Sequence, residues 1–204
     1  YQNQLNIQPV IPVSISEDWN LISRTILPVI QQSDVIPGES QFGLGDTTQS
    51  VFFSPKNPTQ SGLIWGVGPA LLIPTGTDDL GAETWALGPT FVVLKQSKSR
   101  TVGALANQLW DTGGENEINS LFVQPFVSRA LGKGRTVSLN TETSYNWDNR
   151  EWNIPINLSY SKVSKLGGKQ LVSNAFGVKY YADTPYGSGP DWGVRYVFTL
   201  LFPK

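Results

Sequence analysis

Residues 135–163 read RTVSLNTETSYNWDNREWNIPINLSYSKV, and the alternation in this stretch decides the fold. In its first arm Val137, Leu139, Thr141, Thr143, Tyr145 and Trp147 alternate with Ser138, Asn140, Glu142, Ser144 and Asn146. In its second arm Trp152, Ile154, Ile156, Leu158 and Tyr160 alternate with Asn153, Pro155, Asn157, Ser159 and Ser161. Side chains of a strand point alternately to opposite faces, so each arm has one apolar and one polar face. Aromatic residues end the apolar face, and Asn, Ser and Glu fill the other. A strand between lipid and a watery lumen has this pattern.

Working outward, similar alternation gives eleven segments, about Leu5–Ile15, Trp19–Ile30, Phe42–Phe53, Leu63–Pro74, Glu83–Leu94, Thr101–Trp110, Ile118–Ser128, Arg135–Trp147, Trp152–Val163, Gln170–Ala182 and Trp192–Phe202. Most have the length of a tilted membrane strand, roughly 9–11 residues, and exceed the five or six usual in soluble sheets. Turn formers join them, among them Gly132-Lys-Gly134, Gly167-Gly168 and the run 183–190. Outward sets are clear in most segments, but 42–53, 101–110 and 170–182 mix residue types on both faces. Pro9, Pro28, Pro69, Pro89, Pro125 and Pro155 fall inside strands, where the missing N–H predicts bulges or ladder breaks.

Composition narrows the function classes. The 204 residues carry 15 bases, 16 acids and no cysteine or histidine. Without histidine there is no Ser-His or Cys-His catalysis, and without cysteine no thiolate metal site. The reading is therefore a non-enzyme with no cofactor and no metal. A formal net charge of −1 argues against nucleic acid as a partner.

Charge is sorted by strand end. If alternate connections lie on alternate rims, one rim holds Asp34, Glu39, Asp78, Asp79, Glu83, Asp111, Glu115, Glu117, Asp148, Glu151, Asp183 and Asp191, with Arg150 its single base. The other holds Lys56, Lys95, Lys98, Arg100, Arg129, Lys133, Arg135, Lys162, Lys165, Lys169 and Lys204, opposed by Glu17 and Asp18. The tryptophans follow the same division, Trp19 and Trp65 at the basic rim, Trp85, Trp110, Trp147, Trp152 and Trp192 at the acidic one. Amphipathic rings favour the headgroup level, so these seven read as the interface girdles of a membrane barrel. The fold expected is an all-β, antiparallel up-and-down transmembrane β-barrel forming one domain over residues 1–204. Both termini of such barrels usually lie on the periplasmic side and strand numbers are even. The count of eleven thus predicts about twelve strands, with a first strand before Tyr1.

The blocks Leu5-Asn-Ile-Gln-Pro-Val-Ile-Pro12, Glu17-Asp-Trp-Asn-Leu-Ile-Ser-Arg-Thr-Ile26, Phe42-Gly-Leu-Gly-Asp46, Phe52-Phe-Ser-Pro55, Trp65-Gly-Val-Gly-Pro69, Val123-Gln-Pro-Phe126 and Leu200-Leu-Phe-Pro-Lys204 carry a family likeness. Together they resemble the outer-membrane transporter family labelled as the MetA-pathway of phenol degradation, sometimes mislabelled neuromedin U. The resemblance spans nearly the whole chain. It implies a Gram-negative outer-membrane barrel with a transport role, and a further segment upstream. It supplies no catalytic motif. Tyr196, Phe198, Leu200 and Phe202 resemble an insertion signal for the barrel-assembly machinery, displaced two residues from the end.

Function is then expected in the lumen. Arg24, Asp46, Glu142, Lys179 and Arg195 are its charged candidates, with Gln124, Asn140, Asn153 and Asn157 as polar lining. Interior charges either pair as a structural plug or select what passes. The leading expectation is a passive channel for small, hydrophobic or aromatic solutes. The alternative is a structural or interaction barrel. Outer-membrane lipid and lipopolysaccharide are the expected surroundings, and a homo-oligomer is compatible with the sequence.

Overall fold

The computed structural model describes residues 2–33, 38–77, 79–185 and 190–202. Asp34, Asp78 and Lys204 of the charge-sorted rims, and part of the 183–190 turn, lie outside the described residues. The strands are β1 (Gln2–Ile7), β2 (Val10–Ser14), β3 (Trp19–Ser33), β4 (Ser40–Leu44), β5 (Thr47–Pro55), β6 (Leu63–Ile73), β7 (Thr84–Gln96), β8 (Arg100–Gly114), β9 (Asn119–Gly132), β10 (Arg135–Thr141), β11 (Thr143–Asn146), β12 (Glu151–Asn153), β13 (Pro155–Leu166), β14 (Gln170–Tyr181) and β15 (Trp192–Leu201). Four pairs of them, β1–β2, β4–β5, β10–β11 and β12–β13, are halves of interrupted staves. Among the described residues the result is one antiparallel meander of eleven staves, each paired with its sequence neighbours. These are the eleven segments read from the alternation.

Hairpin turns follow from local chemistry. Between β9 and β10 only Lys133 and Gly134 intervene, at φ 53° and 72°. Positive φ at both central residues matches the twist of the flanking strands, and glycine at the second position adopts it without steric cost.

The interruptions sit beside prolines. Register is unchanged across Gln8-Pro9, since Ile7 pairs with Leu27 and Val10 with Arg24. The same holds across Glu142: Asn140 opposes Phe126 while Thr143 opposes Val123, which places Glu142 opposite Gln124 and beside Pro125. Ladder pairs are also skipped where Val51-Phe52 would meet Gly68-Pro69, and where Gly88-Pro89 would meet Gln108-Leu109. Proline lacks the donor N–H, and the wall loses pairs there without losing phase.

Phase changes near two strand ends, between Trp85 and Ala86 and between Arg135 and Thr136, and once within a stave, between β4 and β5. Leu44 pairs with Val29 and Thr48 with Ile26, so the β4 and β5 registers differ by one residue at Gly45-Asp46. Such a bulge moves outward positions from even to odd numbers. Phe42 and Leu44 face out before it, and Phe53 after it. No single alternation runs through 42–53, which accounts for its ambiguous sequence pattern.

The register fixes two faces for the whole wall. Outward lie Leu63, Val67, Leu87, Phe91, Leu139, Leu158, Phe176, Val194 and Phe198, and all are well exposed. An apolar surface of this extent is far beyond what a soluble monomer presents to water. Polar side chains on this face bond one another: Thr25 donates to Gln49 Oε1 at 2.5 Å, and Gln49 Nε2 donates to Ser23 at 2.9 Å. Buried positions lie mostly on the inward face, with Phe52 at 3% exposure and Ala70 at 0%. Among the described residues β15 pairs with β14, and β1 and β2 with β3, so backbone bonds do not close the sheet.

Candidate functional site

Inward positions of β10 to β15 bring the charged candidates together. Glu142, at the break between β10 and β11, is the hub. Arg195 Nη1 donates to its Oε1 at 2.6 Å, and Lys179 Nζ lies 3.7 Å from its Oε2. Gln124 Nε2 donates to Oε1 at 3.5 Å from the facing position on β9. Arg195 is in register with Gly177, and Gly177 with Ser159. These small inward residues add little bulk where the guanidinium lies. The Lys179 ammonium also stands 5.6 Å above the Tyr181 ring centre, a cation–π distance.

Arg24 enters from β3. Its Nε and Nη2 donate to the Gln8 amide oxygen at 2.9 and 3.1 Å, in the amide orientation that satisfies both groups. The Arg24 charge is in electrostatic reach of Glu142, although five staves lie between them. Curvature of the wall thus turns strands distant in the sheet towards a common space. One carboxylate there contacts two cations and lies within electrostatic reach of a third.

The asparagines behave differently from one another. Asn157 stands between Asn140 and Lys179 in one register row. It is only 5% exposed, and neither its Oδ1 nor its Nδ2 has a partner in the structure. Asn140 Oδ1 is likewise buried and unpaired. Asn153 lies nearer the acidic rim, opposite Ser144. Asp46 is not brought to this cluster. From the bulge, its Oδ1 accepts the Gly76 N–H at 2.9 Å and its Oδ2 the Ala82 N–H at 2.6 Å, so it ties down the 74–83 connection.

The alternation did not reveal how apolar the rest of the inner wall is. By register Ile22, Phe52, Val92, Leu105, Phe122 and Phe126 face inward from β3 to β9. Several outward neighbours on β8 are small, notably Ala104 and Ala106. Apolar residues therefore occupy both faces of β8, and period two is masked there. The lumen is two-sided. The β3 to β9 side sets these apolar side chains among Arg24, Ser50, Thr90, Asn107 and Gln124, while the β10 to β15 side carries amide, hydroxyl and charge. The two meet between β9 and β10, where Phe122 and Phe126 stand.

All seven tryptophans lie near strand ends. Trp19 meets Trp65 edge to face, with centroids 6.0 Å apart, at the basic rim. At the acidic rim Tyr145 contacts both Trp147 and Trp152, and Trp192 stacks on Tyr180. Trp147 Nε1 donates to Gln108 Oε1 at 3.0 Å, so its polar edge is satisfied on an apolar face. Trp85 and Trp110 are exposed on the same side.

A family model described as "Putative MetA-pathway of phenol degradation" matches residues 9–204. Among solved structures, the fold is similar to the crystal structure of an outer membrane channel from Pseudomonas putida F1. That match has a TM-score of 0.73 and 15% sequence identity, covering 97% of this chain and 82% of the other. At that identity the likeness is one of fold. No curated protein matches the chain in sequence.

Proposed function

This chain belongs to the MetA-pathway of phenol degradation family, and on that premise we propose that it is an outer-membrane β-barrel channel for small solutes in a Gram-negative bacterium. The carrying observation is the division of one continuous wall into an apolar outer face and an inner face with charged and amide groups in mid-wall. A membrane barrel needs that arrangement, because lipid solvates its outside and water its interior. In this reading residues 1–204 act as a single barrel domain.

The tryptophans at the two rims mark the headgroup levels. The acidic rim faces outward, where lipopolysaccharide and its counterions lie, and β15 presents the aromatic pattern that the assembly machinery would engage. Gln124, Glu142, Lys179, Arg195 and Arg24, with Asn140, Asn153 and Asn157, form the selective part of the pore. The similar fold of a protein titled an outer membrane channel supports the transport reading.

Single-channel recording in planar bilayers tests it. Stable open steps are expected from refolded barrel. The Glu142 network favours a second reading, a structural barrel bridged from within by ion pairs. Electrical silence from protein whose gel mobility still shifts on heating would establish that alternative.

A further inference from the structure

We propose that the lumen selects small organic anions with an apolar body, holding the anionic head on Lys179 and Asn157 and the body on the apolar patch of Phe122 and Phe126 on β9. This rests on the channel reading above and names the solute class for it.

The charge balance is the first support. Away from the rims, the inner wall presents three cations and one clustered carboxylate: Arg24, Lys179 and Arg195 against Glu142. Arg195 makes the close ion pair with Glu142, at 2.6 Å. Lys179 stands back at 3.7 Å, and the close partner of Arg24 is the neutral amide of Gln8. The cluster therefore keeps an excess of positive charge. Fixed cations inside a low-dielectric wall raise the local concentration of anions.

The second support is Asn157. A buried amide ordinarily has partners, because stripping its water without replacement is unfavourable. Asn157 is 5% exposed and has none, with its amide next to Lys179 in the register. Its N–H groups and the Lys179 ammonium together offer the donors a carboxylate accepts. Asn140 Oδ1, also unpaired, provides an acceptor for a hydroxyl beside that carboxylate.

The third support is the distance to the apolar patch. Phe126, Asn140, Asn157 and Lys179 occupy one row on four successive staves. At about 4.8 Å per strand the row spans roughly 14 Å, which a ring bearing one carboxylate can bridge in part while touching Phe126 or Phe122. A neutral hydrocarbon would leave the donors unanswered. An inorganic anion would leave the apolar patch idle.

Benzoate and acetate are suitable probes, having equal charge and unequal apolar surface. Bilayer currents in a potassium chloride gradient should reverse on the anion side, and benzoate should reduce chloride current at concentrations at least five-fold below acetate. Lys179→Gln should raise the benzoate concentration for half-block at least five-fold, Lys179→Arg should restore it, and Asn157→Leu should weaken block by benzoate and acetate alike. Cation-side reversal, or equal effects of benzoate and acetate, would overturn the proposal. If folded barrel passes no current, the channel reading fails separately. Calorimetric titration of benzoate into the detergent-folded barrel then decides the site: binding weakened by Lys179→Gln supports it, and no binding refutes it.

Discussion

Glu142 and Arg195 are 53 residues apart and stand on staves separated by two others, yet Arg195 Nη1 lies 2.6 Å from Glu142 Oε1. Contact at that range across a sheet requires the wall to curve and both side chains to reach over the inner surface. Glu142 sits at the break between β10 and β11, opposite Gln124 and beside Pro125, so the ion pair stands where the backbone ladder is interrupted.

Removing the hub should therefore loosen the wall as well as recharge it. Glu142→Gln is expected to cost about 2 kcal/mol, the scale of a hydrogen bond to a charged group, read as a lower urea midpoint of the folded barrel. Arg195→Gln should cost a similar amount. The double variant should lose less than the sum, because the second change removes a charge already unpartnered. Strict additivity would show that the two residues do not act as a pair.

Leu158 and Ser159 are neighbours on opposite faces of β13. Leu158→Arg would put a charge on the apolar outer face near mid-strand, at a cost of about 2–4 kcal/mol in lipid. Ser159→Arg faces the lumen and should cost much less. Urea titration of both variants in phospholipid vesicles measures the difference, and equal stabilities would contradict the assignment of faces.

Gly88 faces inward where β7 passes close to the backbone of β8. A Cβ there would strike the Gln108 carbonyl oxygen, an atom that cannot rotate away. Gly88→Ala should destabilise the barrel by about 1–3 kcal/mol, the usual range for overpacking. Gly132→Ala is the informative contrast: its Cβ would meet nothing within 4 Å, but φ 82° strains any side chain there. Its loss should be smaller and local to one hairpin. Heat-induced gel shifts of the two proteins, recorded at increasing temperature, give the ranking.

Asp46 predicts a change confined to one connection. Asp46→Ala removes both acceptors for Gly76 and Ala82, so limited proteolysis should cut the 74–83 segment faster while the rest of the wall stays protected. Uniform protection in the variant would mean that the carboxylate is dispensable.

The staves were legible because lipid outside and water inside impose period two wherever the inner face is polar, as from Arg135 to Val163. The prolines marked the ladder gaps for the same local reason, a missing donor. Two features lay beyond the one-dimensional pattern. At Leu105 and Leu109 the inner face is apolar, so the contrast that carries the period vanishes, and only pairing with β7 and β9 assigns the side. Asp46 reads as a lumen residue by counting, but the bulge beneath it turns its carboxylate to a connection thirty residues further along. The cluster on Glu142 was legible as separate inward charges. Their convergence depends on curvature, which alternation does not encode.

The extra residue at Gly45-Asp46 also governs how this chain can change length. Residues added at a hairpin tip alter only a loop, and the wall is indifferent to them. A single deletion at the bulge would merge β4 and β5 into one regular strand that keeps its present pairing with β3 and its present faces, whereas a deletion within either strand would turn the residues beyond it to the other face. Length variation across relatives should therefore gather at the rims and at this position, and spare the regular ladder on either side.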